Sequence, residues 1–536
     1  MRKSTGAFIT FGIILIILLV WGVGFFEKVW IFPGNIDFIK NLPSKNLPLG
    51  SIPFMVLALL GTGIFITFRL GFPQLRYLWH GIKVTAGKYD DPNDEGDLKH
   101  FNALTTALSA TVGIGNIAGV ATAVYYGGPG AIFWMWITAF FGTALKYSEC
   151  TLSLKYREFD PDGHTAGGPM YTIEKGLGEN WRWLAIAFAS FAVICSFATG
   201  NAIQSFTVSD QIYSEVANIV GTHSLLTLKH HIFGDFNVSL LQFINGIALV
   251  IIVGAVIIGG IKRIGSVTGF LAPFMAIIYV VTALLILFGN IHQLEYSIKL
   301  IFKMAFNPPA QIAGAAGGSF MFFLNTLLWG IKRGLYSNEA GQGSAAIAHS
   351  TAKTKYPVRE GVVAMLGPYI DTIIVCSMTG LVIVSTGAWQ HTEFYKNFIN
   401  PEFSGNLLNS SVLTAFAFKE GLSWLTPYGD KIVTLSVALF AISTAISWSY
   451  YGDRATDYLF GPKASLTYKW FFLLFVFVGA IAQLEDVWNF GDAALGFMTI
   501  PNLFSIILLS RKLKKMTGNY FSTEHLTLKQ KQYLNK

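Results

Sequence analysis

The chain is predicted to fold as an all-α polytopic membrane protein built around interrupted helices, and three observations carry that expectation. Only 13% of its 536 residues are charged and 53% are hydrophobic, whereas a soluble domain is roughly 25% charged. Apolar runs near the ~20-residue spanning length recur from one end to the other. Two of those runs, at 102–125 and 310–334, are rich in glycine and asparagine. A lipid-facing helix gains nothing from that composition, but a helix that opens its backbone at membrane depth needs it.

Twelve spanning segments are read, at about 7–26, 50–68, 102–125, 130–152, 183–206, 238–260, 266–288, 310–334, 360–386, 430–450, 467–484 and 489–510. The first follows Arg2 and Lys3. It is read as a retained helix, being long for a signal core and lacking a small-residue cleavage site. Basic residues gather in alternate loops: Arg69, Arg76, Lys83 and Lys88; Lys155 and Arg157; Lys262 and Arg263; Lys332 and Arg333; Lys353, Lys355 and Arg359; Arg511 to Lys515. This asymmetry sets both termini on the cytoplasmic side of the cell membrane. The net charge of +8 is therefore a topology signal, and no nucleic-acid partner is implied. Cys150, Cys195 and Cys376 lie in apolar runs without metal-ligand spacing.

The organisation expected is two helices and a basic loop over 1–101, five segments over 102–288, five more over 310–510, and a cytoplasmic tail over 511–536, polar and poorly ordered from Met516. The two five-segment units start on opposite sides, each with a glycine-rich helix, which describes an inverted-repeat transporter. The longest outside loops, 207–237 and 387–429, suit lids or gates.

In TTALSATVGIGNIAG (105–119), unwinding around Gly113–Asn116 would free the amides of Ile114 and Gly115. The following half-helix would add its positive end, so a carboxylate fits there. The preceding carbonyls, from Ser109 to Val112, suit a small cation. Helix packing through small residues is the plainer alternative. In the eighth segment the break falls either at Gly314, Gly317 and Gly318 or at Asn325, Thr326 and Gly330. Depth favours the second cluster, since Asn325 lies roughly 23 Å of helix past Pro308–Pro309. Ser337–Ala346 (SNEAGQGSAA) reads as a cytoplasmic continuation. In the tenth segment Phe440, Ser443 and Thr444 share a helix face. Two hydroxyls and a carbonyl facing Ser109 and Val112 make an all-oxygen site for a hard monovalent cation, unless the hydroxyls only bond their own helix. Trp448 suits a pocket cap or an interfacial anchor. Asp371, a third of the way into the ninth segment, is a coupling candidate because intramembrane carboxylates are costly and usually functional. Asn201 and Gln204 are candidate pocket groups, while Glu149 and Asp492 read as solvated or paired. No catalytic constellation appears, so an enzyme is not expected.

Residues 102–149, AGGPMYTIEKGL (166–177) and WGIKRGLYSNEAGQGSAAIAHSTAKT (329–354) resemble the alanine/glycine:cation symporter family, also called sodium:alanine symporters. DTIIVCSMTGLVI (371–383), WSYYGDR (448–454) and IPNLFSIILLS (500–510) support the match. The resemblance implies a LeuT-like fold with core helix one at 102–125, six at 310–334 and eight at 430–450. It implies Na⁺-driven, or sometimes H⁺-driven, import of a small neutral amino acid, chiefly alanine or glycine, with no organic cofactor. It places the substrate carboxylate at the amides beside Gly113, Ile114 and Gly115, with Asn116 orienting substrate or ion. It places Na⁺ among the carbonyls of Ser109, Val112 and Phe440 and the hydroxyls of Ser443 and Thr444. Gln204, Asn325, Thr326, Gly330 and Trp448 complete the expected pocket. Many members carry Thr where this chain has Ile114, which puts side-chain selectivity in question. H⁺ coupling through Asp371 and a non-transporting amino-acid sensor are the rival readings. If Na⁺ alone drives the cycle, Asp371→Asn is expected to leave activity largely intact.

Overall fold

The computed structural model describes residues 54–160, 163–221, 223–233, 236–307, 319–390, 410–482, 485–528 and 530. The segment 7–26 lies outside these residues, as do Pro308, Pro309, Gly314, Gly317 and Gly318. Among the described residues, seven helices are long and apolar enough to cross a membrane, or eight if one bent pair counts as a single span.

Helix α1 (Phe54–Leu70) and the short α2 (Leu78–Thr85) come first. The bent pair follows: α3 (His100–Thr111) and α4 (Ala118–Gly127), inclined at 65° across the break. Next come α5 (Ala131–Lys155), the short α6 (Pro169–Leu177), and α7 (Arg182–Phe197), which passes through a π-turn at Ala198–Ala202 into α8 (Ile203–Val220). Helices α9 (Leu240–Ile257) and α10 (Gly260–Gly289) close this set, and α11 (Ile291–Phe306) follows. A second interrupted helix, α12 (Ser319–Asn338) and α13 (Ser344–His349), opens the next set. Helix α14 (Pro357–Ala364) leads through a π-helical stretch, Tyr369–Cys376, into α15 (Ser377–Ser385). Helices α16 (Ser410–Leu422), α17 (Gly429–Phe460), α18 (Ala464–Ile481) and α19 (Glu485–Phe521) complete the chain. Two antiparallel hairpins, Glu158–Phe159 with Thr165–Ala166 and Lys229–Phe233 with Phe236–Ser239, are the strands among the described residues.

Burial sorts these helices. Only a third of the apolar windows of α9 and α18 is buried, against about seven-tenths for α7–α8 and α19. Helices α9 and α18 pack on each other and turn the rest outward, as lipid-facing helices do. They also hold the same rank, fourth, in the two sets. The centre is formed by α5 against α12 and α14, α7 against α17 and α19, and α3 against α10 and α17. Small residues permit the closest approach: a side chain on Gly330 would run into the Ala131 carbonyl and Trp134 of α5.

At one end of the bundle the two interrupted helices are tied together. Glu360 of α14 accepts from Nδ1 of His100, at the start of α3, and from Nδ1 of His349, at the end of α13, the latter at 2.5 Å. All three side chains are buried. The Arg157 guanidinium donates to the carbonyls of Ser350 (3.0 Å), Ala352 (2.6 Å) and Thr354 (2.9 Å). The amides of Asp97 and Leu98 donate to Thr351 O at 2.8 and 3.0 Å.

Both expected outside loops, and the tail, are partly helical. Helix α8 continues to Val220, well into 207–237, and α16 (Ser410–Leu422) forms inside 387–429. The tail is ordered to Phe521 and not from Met516 disordered, because Leu513, Thr517, Tyr520 and Phe521 form one face of α19. Tyr147 and Thr517 share a hydroxyl contact of 2.6 Å, Phe521 stacks on Tyr77 at 3.7 Å, and His80 Nε2 meets the Tyr520 hydroxyl at 2.8 Å. Burial, with His525, Arg359 and Lys83 nearby, pushes the His80 imidazole down to about 4. Its folded value lies below the unfolded one, so its contribution is complete above about 6.5 and is lost as pH falls toward 4. Protection factors over 515–528, taken relative to intrinsic exchange at each pH, are therefore expected to fall between pH 6.5 and 4, and His80→Phe should flatten that dependence. A profile unchanged by the substitution would refute the assignment.

Candidate functional site

The first break is built by the chain's own turn chemistry. Val112 leaves α3 with ψ at 86°, Gly113 is extended, and Ile114–Asn116 form one 3₁₀ turn before α4 begins. The amides of Ile114 and Gly115 open that turn and have no acceptor inside it. The Asn116 side chain holds the turn closed: its Oδ1 accepts from Gly113 N at 2.9 Å. Its Nδ2 donates to the Asp371 carbonyl (3.1 Å), Asp371 Oδ1 (2.5 Å) and Cys376 Sγ (3.3 Å). Neighbouring helices brace the carbonyls that follow the break. Thr379 donates to Asn116 O at 2.8 Å, and Thr414 donates at 3.1 Å to Ile117 O, which also takes the Ala121 amide.

On the α3 side of this break the oxygens converge. Ser109 O accepts from Ser443 Oγ and from Thr444 Oγ1, each at 3.2 Å. Ser443 Oγ also donates to Phe440 O at 2.9 Å, and Thr444 Oγ1 to Ala110 O at 3.4 Å. Ser109, Phe440, Ser443 and Thr444 thus meet at one point between α3 and α17, with Val112 at the adjoining helix end. A side chain on Gly113 would come within 2.9 Å of Thr444 Oγ1, so the junction requires glycine. Carbonyl and hydroxyl oxygens are the donor set a hard cation such as Na⁺ prefers. The hydroxyl protons need only rotate away.

The second break is not where depth from Pro308–Pro309 suggests. Helix α12 runs unbroken through Asn325, Thr326 and Gly330 to Asn338. The interruption is Glu339–Gly343, inside the SNEAGQG stretch that reads as a cytoplasmic continuation. Glu339, with φ +50°, and Gly341 and Gly343, at +82° and +88°, turn the backbone out of the helix. A non-glycine residue in that region is uncommon. Nor does the stretch lie in water, since Ser337, Asn338, Glu339, Gln342 and Ser344 are all buried. Lys332 and Arg333 correspondingly belong to α12, about two turns before the break, and do not form a basic loop after it. Their cationic groups lie 5.5 Å from the Trp329 ring.

Asp371 joins the two breaks. Its Oδ2 accepts from Ser337 Oγ of α12 at 2.8 Å and from Thr372 Oγ1 at 2.7 Å, while Oδ1 takes Asn116. It is fully buried, on the π-helical stretch between α14 and α15. Gly115 faces Tyr336 and Ser337, where a side chain would sit at ordinary van der Waals distance. The gap between the breaks is thus lined by backbone of both helices and closed by one carboxylate.

The remaining expected residues separate. Trp448 lies against the π-turn of α7–α8, where a side chain on Gly200 would collide with it, and neighbours the Glu339 carboxylate. Gln204 donates to Thr199 O at 3.0 Å, and its buried Oε1 has no partner among the described residues. Asn201 instead bonds Phe472 O of α18 at 2.7 Å, an interhelical contact. Asn325 donates to Tyr126 O at 2.6 Å, and Thr326 abuts Gly127. With Gly330 packed on α5, these three hold α12 to α4 and α5, away from the break. Glu149 is not solvated: it is 2% exposed and lies 3.7 Å from Lys146. Ser337, Glu339, Lys146 and Asn502 were not singled out from the sequence. The two closely spaced glycines after Glu339, Gly341 and Gly343, were the signal available there.

A model of the sodium:alanine symporter family matches residues 38–534. The chain is similar to the sodium/alanine symporter AgcS of Methanococcus maripaludis, 45% identical over 477 residues, covering 88% of this chain and 95% of that one. It is also 33% identical over 458 residues to the probable sodium/glutamine symporter GlnT of Bacillus subtilis, covering 85% of each. Its fold is similar to the crystal structure of MhsT in complex with L-phenylalanine: TM-score 0.51 at 15% identity, covering 77% of this chain and 89% of that one. The likeness to MhsT speaks for the fold alone.

Removing the Asn116 side chain strips an acceptor from Gly113 N and a donor from Asp371. Asn116→Ala is expected to cost about 1–3 kcal/mol, read as a lowered melting midpoint in detergent. Asn116→Asp should cost more, because it sets a second carboxylate against the first. A wild-type midpoint in the alanine variant would contradict this geometry.

Proposed function

From the premise that this chain belongs to the sodium:alanine symporter family, we propose that it imports a small neutral amino acid, alanine or glycine, together with Na⁺ by alternating access. That it is a membrane transporter and not an enzyme, and that it couples an amino acid to a cation, follows from the family. The choice of amino acid and the mechanism are our reading. The observation that carries it is the oxygen cluster of Ser109, Phe440, Ser443 and Thr444 beside the free amides of Ile114 and Gly115.

In this reading the Ile114 and Gly115 amides receive the substrate carboxylate, aided by the positive end of α4. Na⁺ is held by the carbonyls of Ser109, Val112 and Phe440 and the hydroxyls of Ser443 and Thr444. The ion joins α3 to α17, and the substrate joins α4 to the end of α12. Each favours the closed arrangement in which the other binds, and linkage makes that preference mutual. A membrane potential of 100 mV adds about 2.3 kcal/mol per charge moved, enough to concentrate a neutral amino acid more than tenfold. The end carrying the His100–Glu360–His349 contact also carries Lys155, Arg157, Lys353, Lys355, Arg359 and Arg511, so we take it as cytoplasmic, together with both termini. Ile114 supplies bulk beside the carboxylate position, which suits a small side chain.

The structure gives Asp371 a second role and alters what its substitution tests. Asn at 371 would turn an amide toward three donors, so a loss of activity would not by itself indicate H⁺ coupling. Only a changed pH profile would.

The test is radiolabelled L-alanine uptake into proteoliposomes under an inward Na⁺ gradient, with matched K⁺ and pH gradients as controls. Saturable, Na⁺-dependent uptake inhibited by glycine is expected. In Ser443→Ala and Thr444→Val the Na⁺ concentration for half-maximal uptake should rise about tenfold, while the alanine KM at saturating Na⁺ changes little. Uptake of glutamine in preference to alanine would refute the substrate assignment, and uptake driven only by a pH gradient would refute the ion.

A further inference from the structure

The second break is held open by a pair of charges on a helix that is not itself broken. Lys146 and Glu149 sit one turn apart on α5, each 2% exposed, with Nζ 3.7 Å from Oε1. Burying two charges costs several kcal/mol per ion unless further hydrogen bonds meet them, and here those bonds come from the break. Lys146 Nζ donates to Glu339 O at 3.2 Å, a carbonyl at the end of α12 whose other donor is the Gln342 amide of the break, at a long 3.3 Å. Glu149 Oε2 accepts from Gly343 N at 3.1 Å, an amide with no carbonyl left to pair with as α13 starts. The Asn502 amide of α19 bridges Glu149 Oε2 (2.8 Å) and Gly341 O (2.9 Å). The ammonium also acts electrostatically on the Glu339 and Asp371 carboxylates.

We propose that Lys146 and Glu149 are positioning residues for transport: they set the separation and direction of the two halves α12 and α13, and so aim Ser337 and the backbone of 339–343 at the substrate gap. This rests on the transport reading above. The order of the two charges matters, not only their attraction. A carboxylate at 146 has no proton for Glu339 O, and an ammonium at 149 has no lone pair for Gly343 N–H. An exchanged pair keeps its mutual attraction and loses both contacts with the break.

The experiment compares Lys146→Met, Lys146→Arg, Glu149→Gln and the exchange K146E/E149K in the purified full chain. It reads two quantities: hydrogen exchange over 336–346, and the KM and maximal rate of Na⁺-driven L-alanine uptake. Losing a charge-assisted contact at the break should raise KM about tenfold or more in Lys146→Met. Lys146→Arg keeps a donor and should stay within about threefold of wild type. Glu149→Gln keeps an acceptor and should fall between. The exchange variant should show the fastest exchange over 336–346 and the highest KM. If it fails to fold, the ranking of the three single variants still decides. Wild-type exchange and KM in Lys146→Met, or in a folded exchange variant, would overturn the proposal. Fast exchange in the variants of a protein whose wild type moves no amino acid would overturn the transport reading and with it the role in transport, leaving only a structural cap.

Discussion

A helix that breaks inside a membrane must hand its orphaned amides and carbonyls to something other than water. That constraint organises this molecule. At the first break the chain supplies most of the answer itself, through Asn116, with threonines of α15 and α17 donating to the carbonyls of Asn116 and Ser109. At the second break the local caps, Asn338 Oδ1 on Ala340 N and Glu339 O on Gln342 N, are joined by partners from elsewhere, Lys146 and Glu149 of α5 and Asn502 of α19. Nearly every central helix thus contributes a side chain to one interruption or the other. The fold and the site have one cause, because the groups that make the breaks tolerable also bring the breaks face to face.

Asp371 is where the two solutions meet. It accepts from the residue that closes the first break and from the residue that precedes the second. A displacement of either interrupted helix is therefore felt by the other through one carboxylate at hydrogen-bond distance. The symport proposed above needs such a connection, since in that reading a cation held beside α3 alters the affinity of a substrate site bounded by α12.

The sequence made the first break legible because GIGN concentrates glycine and a capping asparagine within four residues of a long apolar run. The oxygen cluster was legible for a similar reason: Ser443 and Thr444 are adjacent hydroxyls one turn from Phe440, and helical spacing places them together. The second break was not readable in the same way. Measured from Pro308–Pro309, spanning length pointed to Asn325, and Lys332–Arg333 resembled a helix end at the water boundary. In fact those two cations lie beside Trp329 within α12, and α12 extends two turns further. Partners of Ser337 and Glu339 come from residues up to 193 positions away, such as Lys146, and periodicity carries no information about contacts of that kind. The tail was misread for a local reason, since Lys514, Lys515, Gly518 and Asn519 interrupt Leu513, Thr517, Tyr520 and Phe521 and hide their common face.

Glu360 serves two histidines with one carboxylate, one from the first residue of α3 and one from the last residue of α13. Neither interrupted helix can leave that end of the bundle without stranding a buried imidazole or dragging its counterpart along. The knot therefore favours a concerted exit over a sequential one. A carrier that opened one helix at a time would pass through a half-unlatched form, in which the ion could slip away while the cargo stayed behind. In the symport proposed above, a shared acceptor penalises that form and so guards the stoichiometry of each cycle against leakage.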